Sequence, residues 1–418
     1  MRSGWINFLS ARLCVTPAEC VRYRMRQCAP LCGKVSRMRS MNFSAGPAAL
    51  PEEALEQART ELLDFSGSGM SVMEQSHRGK VYEKVHDEAT NLLRELLAVP
   101  ESHEVLFVQG GASLQFVQVA MNFLEAGKIA GYLVNGAWGE KAYAEACVTA
   151  PSRKAEVKLI ASTAVADALF VEKGGEEKSY TKAIAKSDVR GTAGLSYVHV
   201  TSNETVHGIQ YPGGPAAVFG DLGAPLICDM SSDFLSAPLD VTPYSFIYAG
   251  AQKNIGPSGV VVLVASKELL ARCPKDVPNI LRYDVAAKNR SLYNTPPTFA
   301  IYLVRNVLAW LKGQGGLGGI AAINAKKAAA VYGAIDAHGS MYRSPVALAD
   351  RSRMNVVFHL STPELTETFL KGAEAQNMIG LKGYRTVGGV RASLYNAVKL
   401  EWVLALAAYM KDFAAKHG

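Results

Sequence analysis

The sequence predicts an α/β protein with a mostly parallel central sheet in a large domain and a smaller α+β domain at the C-terminal end. Three observations predict it. At 418 residues and 44.8 kDa the chain exceeds what one small core requires and suits two domains. Short apolar runs, apolar on both faces, recur between helix-length segments, the pattern of strands covered by helices on both sides. Beyond residue 318 the texture changes to two isolated strand-like runs and one long closing helix. The domain boundaries expected are 57–318 for the large domain, with 41–56 and 319–418 forming the small one.

Residues 1–40 stand apart. They hold Arg2, Arg12, Arg22, Arg24, Arg26, Lys34, Arg37 and Arg39 against the single acid Glu19, which accounts for the whole net charge of +7. The folded remainder is therefore neutral and needs no nucleic-acid partner. The leader also carries Cys14, Cys20, Cys28 and Cys32, with no histidine nearby and spacings that fit zinc poorly. An Arg-rich, acid-poor leader has the character of an organelle transit peptide, while Met41 as the true initiator is the other reading. The protein is accordingly expected in the cytoplasm, or in a mitochondrion or plastid if the leader is a transit peptide. Cys147, Cys228 and Cys273 are too few and too scattered for a disulfide-stapled secreted domain. The longest apolar runs fall well short of the roughly 20 residues of a membrane span.

After a turn at Asn42-Phe-Ser-Ala-Gly-Pro47, Pro51-Glu52-Glu53 opens an amphipathic helix through about residue 63, with acids at its positive end. A second helix ends near 97. Strands follow at 104–108, 132–134, 196–200, 225–228, 245–248 and 260–264, and Gly110-Gly111 turns the first of them into a helix from about Ser113. Asn294-Thr295-Pro296-Pro297 has the form of a cap followed by first-turn proline, opening a helix to about 312. Strands near 354–360 and 390–394 and a helix over 400–416 complete the chain.

In open α/β sheets ligands sit at the carboxyl ends of the strands, and the chemically special residues fall there. Lys253 lies between two strands in a run with Gly250, Gly256 and Gly259, where a turning backbone can hold an amine against an aldehyde. Asp229 ends a strand and could keep a pyridine nitrogen protonated, although turn capping explains many such aspartates. Trp138 offers a flat face for a ring, or ordinary packing. The Gly110-Gly111-Ala112-Ser113 turn presents free N–H groups suited to an anion. Thr205 could bond a polar cofactor edge. Strand-end aromatic, strand-end aspartate and glycine-flanked lysine together point to pyridoxal 5′-phosphate (PLP).

The same residues lie in longer motifs. From Met41 onward the chain resembles the phosphoserine aminotransferases, PLP-dependent fold-type I enzymes of the class-V aminotransferase family. The resemblance rests on Asn42-Phe-Ser-Ala-Gly-Pro47, Met73-Glu-Gln-Ser-His-Arg-Gly79, Ala249-Gly-Ala-Gln-Lys-Asn-Ile-Gly-Pro257, Tyr293-Asn-Thr-Pro-Pro-Thr298, Arg351-Ser-Arg-Met-Asn355 and Gly388-Gly-Val-Arg-Ala-Ser-Leu-Tyr-Asn-Ala397. It implies that Lys253 carries PLP, Asp229 pairs with the ring nitrogen and Trp138 stacks on the ring. It places Ala112, Ser113, Ser231, Gln252 and Thr205 around the cofactor. Asn294 and Thr295 would reach it from the other chain of a homodimer. Arg391 would grip the substrate α-carboxylate, His77, Arg78 and Arg385 the distal anion, and Ser44 would contact glutamate.

The reaction implied is transamination between L-glutamate and 3-phosphooxypyruvate, giving 2-oxoglutarate and O-phospho-L-serine in serine synthesis, with a role in vitamin B6 synthesis in some members. Bidentate arginine forks suit carboxylate and phosphate alike. Two positions depart from the pattern: Tyr384 stands where many members have histidine, and Ser113 where some have arginine. A serine–glyoxylate aminotransferase or a cysteine desulfurase is the alternative within the fold. The second would need a mobile cysteine nucleophile, which Cys147, Cys228 and Cys273 do not obviously supply.

Overall fold

A computed structural model describes residues 39–166 and 178–418; the expectations for the leader lie outside them, apart from its last two residues. Seven strands form the central sheet: β1 (His103–Gln109), β2 (Ile129–Val134), β3 (Glu156–Ser162), β4 (Val198–Thr201), β5 (Leu226–Asp229), β6 (Phe246–Gly250) and β7 (Val260–Ser266). Their order is β1-β7-β6-β5-β4-β2-β3. Strands β6, β5, β4, β2 and β3 run parallel, whereas β7 is antiparallel to both β6 and β1. The sheet is thus mostly parallel, as the two-sided apolar strands predict.

Alternation along β7 displays the two-sided burial. Val260, Val262 and Val264 enter one core, and Val261, Leu263 and Ala265 the other. The first core is closed by Ala89 and Leu93 of α1 (Lys80–Leu96) and by Ile301, Val304 and Leu308 of α4 (Thr298–Gly313). The second is closed by Phe116, Val119 and Phe123 of α2 (Ala112–Phe123) and by Ala142 and Ala146 of α3 (Ala137–Thr149). Burying a branched or aromatic side chain contributes roughly 1.5–3 kcal/mol, so these faces hold the sheet rigid beneath its strand ends.

A third core surrounds the antiparallel sheet of β8 (Tyr342–Arg343), β9 (Asn355–Leu360) and β10 (Val390–Ser393), covered by α6 (Pro363–Ala375) and α7 (Leu400–His417). Phe43 and Ala49 from the start of the described chain belong to it. Helix α5 (Gly316–Ala337) joins the cores: Leu317 and Ile320 pack on the large sheet, Val331 and Ile335 on the small one.

One expected boundary is corrected. Asn294 does not cap α4; the helix begins at Thr298 after Pro297, whose ψ of 78° is non-helical. Both prolines precede the helix, because the residue before a proline is pushed out of helical space. Among the described residues no helix is long and apolar enough to cross a membrane.

Candidate functional site at the carboxyl ends of the strands

Five strand ends converge on one cavity of about 120 Å³. After β1, Gly110 adopts φ +93° and the chain enters α2 through Gly111. No side chain caps α2, so the N–H groups of Ala112 and Ser113 at its positive end lack helical partners. After β2, Asn135-Gly136 leads into α3 and puts Trp138 on its first turn. After β4 come Asn203, Glu204 and Thr205, after β5 Ser231, and after β6 Gln252 and Lys253.

The chain reverses between antiparallel β6 and β7 over residues 251–259, too short for a crossover helix, and Lys253 sits on that reversal. Ala112, Ser113, Trp138, Thr205, Asp229, Ser231, Gln252 and Lys253 all line the cavity.

Lys253 Nζ donates to Thr205 Oγ1 at 2.9 Å and lies 5.2 Å from the centre of the Trp138 ring. Burial lowers its pKa from 10.5 to about 8; Asp229 and Glu204 oppose the fall and Arg391 adds to it. Asp229 is buried, with 4% of its surface exposed, and its Oδ1 accepts from the Ser231 backbone at 2.9 Å and the Ser231 hydroxyl at 2.6 Å. Burial raises the Asp229 pKa, while Ser231 and Lys253 favour its ionised form. Both Ser231 bonds fall on one carboxylate oxygen, leaving Oδ2 outside them.

The segment 44–48 crosses the Lys253 stem. A Cβ at Gly46 would stand 3.5 Å from Lys253 Cγ, and Ala48 N–H donates to the Gln252 carbonyl at 2.9 Å. Ser44 is packed against Gly380, where a side chain would collide with it. Arg391 on β10 is half-buried; its Nε has no hydrogen-bond partner, and its guanidinium lies 5.8 Å from the Tyr384 ring.

The remaining predicted residues are not brought to the cavity within one chain. Asn294 lines a separate depression with Phe107 and Gln118, and the Thr295 carbonyl accepts from Gln109 Nε2 at 2.9 Å. His77 is half-buried with Nε2 unpartnered, and Arg78 and Arg385 are exposed.

Sequence reasoning missed Glu204. It is fully buried and accepts from the N–H groups of Trp138 and Gly139. Its position directly before Thr205 was the only cue.

The cavity suits a flat, anionic, aldehyde-bearing ligand: an uncapped helix start for the anion, an indole face, a buried carboxylate and a neutralisable amine. Trp138 Nε1 and Thr201 Oγ1 are buried there without partners.

That fold and donor set define an aminotransferase site, and the chain belongs to the class-V aminotransferase family, which it matches over residues 40–406. The phosphoserine aminotransferase of Halalkalibacterium halodurans is 49% identical over 379 residues, covering 91% of this chain and 99% of that relative. The solved phosphoserine aminotransferase of Bacillus circulans subsp. alkalophilus superposes with a TM-score of 0.84 at 45% identity, covering 91% of this chain and 99% of that one. A PLP-bound phosphoserine aminotransferase from Trichomonas vaginalis is 38% identical, covers 89% of this chain and all of that one, and has a TM-score of 0.81. Within the class, the chain is a member of the phosphoserine aminotransferase family.

Proposed function

We propose that this enzyme, with PLP held at Lys253, moves an amino group between L-glutamate and 3-phosphooxypyruvate, yielding 2-oxoglutarate and O-phospho-L-serine. The observation carrying this reading is the convergence of Lys253, Asp229, Trp138 and the open start of α2 on one cavity.

Each residue has a physical task. Bound there, PLP supplies an electron-withdrawing ring that acidifies the substrate Cα–H. The α2 N–H groups with Ser113 and Gln252 hold its phosphate. Asp229 keeps the ring nitrogen protonated, and Ser231 keeps Asp229 ionised and oriented. Trp138 packs on the ring face. Lys253, with its amine brought to about 8, accepts the proton from substrate Cα at Nζ and returns it. Thr205 fixes where that amine stands.

Arg391 takes the α-carboxylate with its unpartnered Nε, and Ser44 contacts glutamate. His77, Arg78 and Arg385 form the distal-anion pocket once two chains combine, and Asn294 and Thr295 of each protomer reach the phosphate end of the other's site. The homodimer and the residue roles are part of this proposal. So is the division into a large domain at 57–318 and a small one at 41–56 and 319–418, which the shared core of Phe43 and Ala49 with β9 and β10 supports.

The test is donor specificity. With 2-oxoglutarate as acceptor, O-phospho-L-serine should be used far better than L-serine or L-alanine, and phosphohydroxythreonine measures any second substrate. Serine or alanine used as well as phosphoserine would overturn the reading.

A further inference from the structure

We propose that Glu204 is a positioning residue for amino transfer: its buried carboxylate clamps the first turn of α3 and holds the Trp138 ring at its working distance from Lys253. The proposal rests on the function just stated.

Glu204 stands on a short hairpin, Asn203–Glu204 against Ile209–Gln210, and is fully buried. Oε2 accepts from Trp138 N–H at 3.1 Å and Oε1 from Gly139 N–H at 2.8 Å. These are two of the donors that a helix start leaves unpaired, and the helix dipole favours a negative charge there. The space is reserved for it. Gly136 is extended, at φ 169°, so its lack of a side chain serves room rather than backbone freedom, and a Cβ there would collide with the Glu204 carboxylate. A Cβ at Gly139 would stand 3.4 Å from Oε1. The next residue, Thr205, receives the Lys253 amine at 2.9 Å. One dipeptide therefore sets both partners of the 5.2 Å amine-to-indole approach.

Energetics separate this role from ordinary capping. Burial raises the Glu204 pKa from 4.5 to about 7; the Gly139 and Trp138 N–H groups and Lys253 pull it down, and Asp229 pushes it up. A raised folded-state pKa means the carboxyl's stabilising contribution is complete below about 4.5 and is lost as pH rises through about 7. Above that, the fold retains a buried carboxylate at a cost, where a short neutral cap would serve the helix alone.

The other groups facing it are Asp229, Lys253 and the phenols of Tyr180 and Tyr211. Tyr180 donates to Glu140 at 2.6 Å and packs 5.0 Å from His207, whose pKa burial lowers to about 4. Both phenols are pushed far above neutrality by burial, whereas Glu204, raised to about 7, and Lys253, lowered to about 8, change charge near pH 7–8.

Cofactor-free protein reports on the clamp directly. The Trp138 part of the tryptophan emission, obtained by difference against Trp138→Phe, should titrate between about pH 6 and 9. Lys253→Met should keep a transition and move it to higher pH, since a cation favouring the carboxylate is gone. Adding Glu204→Gln should abolish it.

Glu204→Gln alone should weaken PLP binding about tenfold at pH 8, the scale of one lost charge-assisted contact, with a melting temperature equal to or above the wild type's. Glu204→Asp, which keeps the charge and reaches less far, should bind PLP with intermediate affinity and retain the transition; it serves if the glutamine variant fails to fold. A lowered melting temperature with unchanged PLP affinity, or a transition that persists when Glu204→Gln is combined with Lys253→Met, would overturn the proposal. A wild type that titrates as described but binds no PLP would overturn the proposed function instead, leaving the clamp standing.

Discussion

Replacing Lys253 with methionine should stabilise the cofactor-free protein at neutral pH. The lysine's folded-state pKa of about 8, against 10.5 when unfolded, means the unfolded chain binds a proton that the folded chain surrenders. The penalty is complete below about pH 8 and vanishes as pH rises through 10.5. At 1.36 kcal/mol per pKa unit it has a ceiling of about 3 kcal/mol. Lys253 is half-buried, and water reaching the cavity reduces this.

Methionine fills similar volume without the charge, and losing the bond to Thr205 returns about 1 kcal/mol. The net expectation is a gain of about 1–2 kcal/mol at pH 7, read as a higher urea midpoint, that closes towards pH 10. A variant less stable than the wild type at pH 7, or a gap that ignores pH, would refute the reasoning.

Other predictions follow from the same geometry. Asp229→Asn should lower kcat by about two decades or more while PLP still binds, because a neutral partner no longer favours the charged ring nitrogen; near wild-type turnover would make Asp229 a cap for Ser231 only. Arg391→Ala should weaken phosphoserine and glutamate alike. Arg78→Ala should cost phosphoserine more, about one to two decades in kcat/KM, since a phosphate carries more charge and more acceptor oxygens than a carboxylate; the reverse order would dismiss Arg78 from the distal pocket. Lys327, fully buried, donates to the carbonyls of Leu394, Tyr395 and Val398 at 3.0, 2.8 and 3.1 Å, just beyond β10. Lys327→Met should lower the melting temperature by leaving those carbonyls unpaired, at about 1–3 kcal/mol for each group that finds no water.

The strands were legible where burial is two-sided. Leu226-Ile-Cys228 and 260–265 are apolar on both faces because helices cover both. β3 escaped notice: it is an edge strand whose Glu156, Lys158, Leu159 and Ser162 are exposed, so its composition reports solvent on one side more than a core. The direction of β7 depends on a nine-residue link, which a reading by composition alone passes over.

In the site, Lys253, Asp229 and Trp138 stand out because they lie at or just past the ends of strands. Glu204 did not, because its role depends on N–H groups 65 and 66 residues away that no local pattern encodes. The residues proposed for the distal anion stand out only through the family motifs, since His77, Arg78 and Arg385 do not line the cavity of their own chain.

The central claim is that Lys253 is the amine that holds PLP. Borohydride reduction of the PLP-loaded enzyme, followed by peptide mapping, tests it most directly. The account predicts a single pyridoxyl-modified peptide containing Lys253, and none from Lys253→Ala under the same conditions. Modification of any other lysine in place of Lys253 would contradict it.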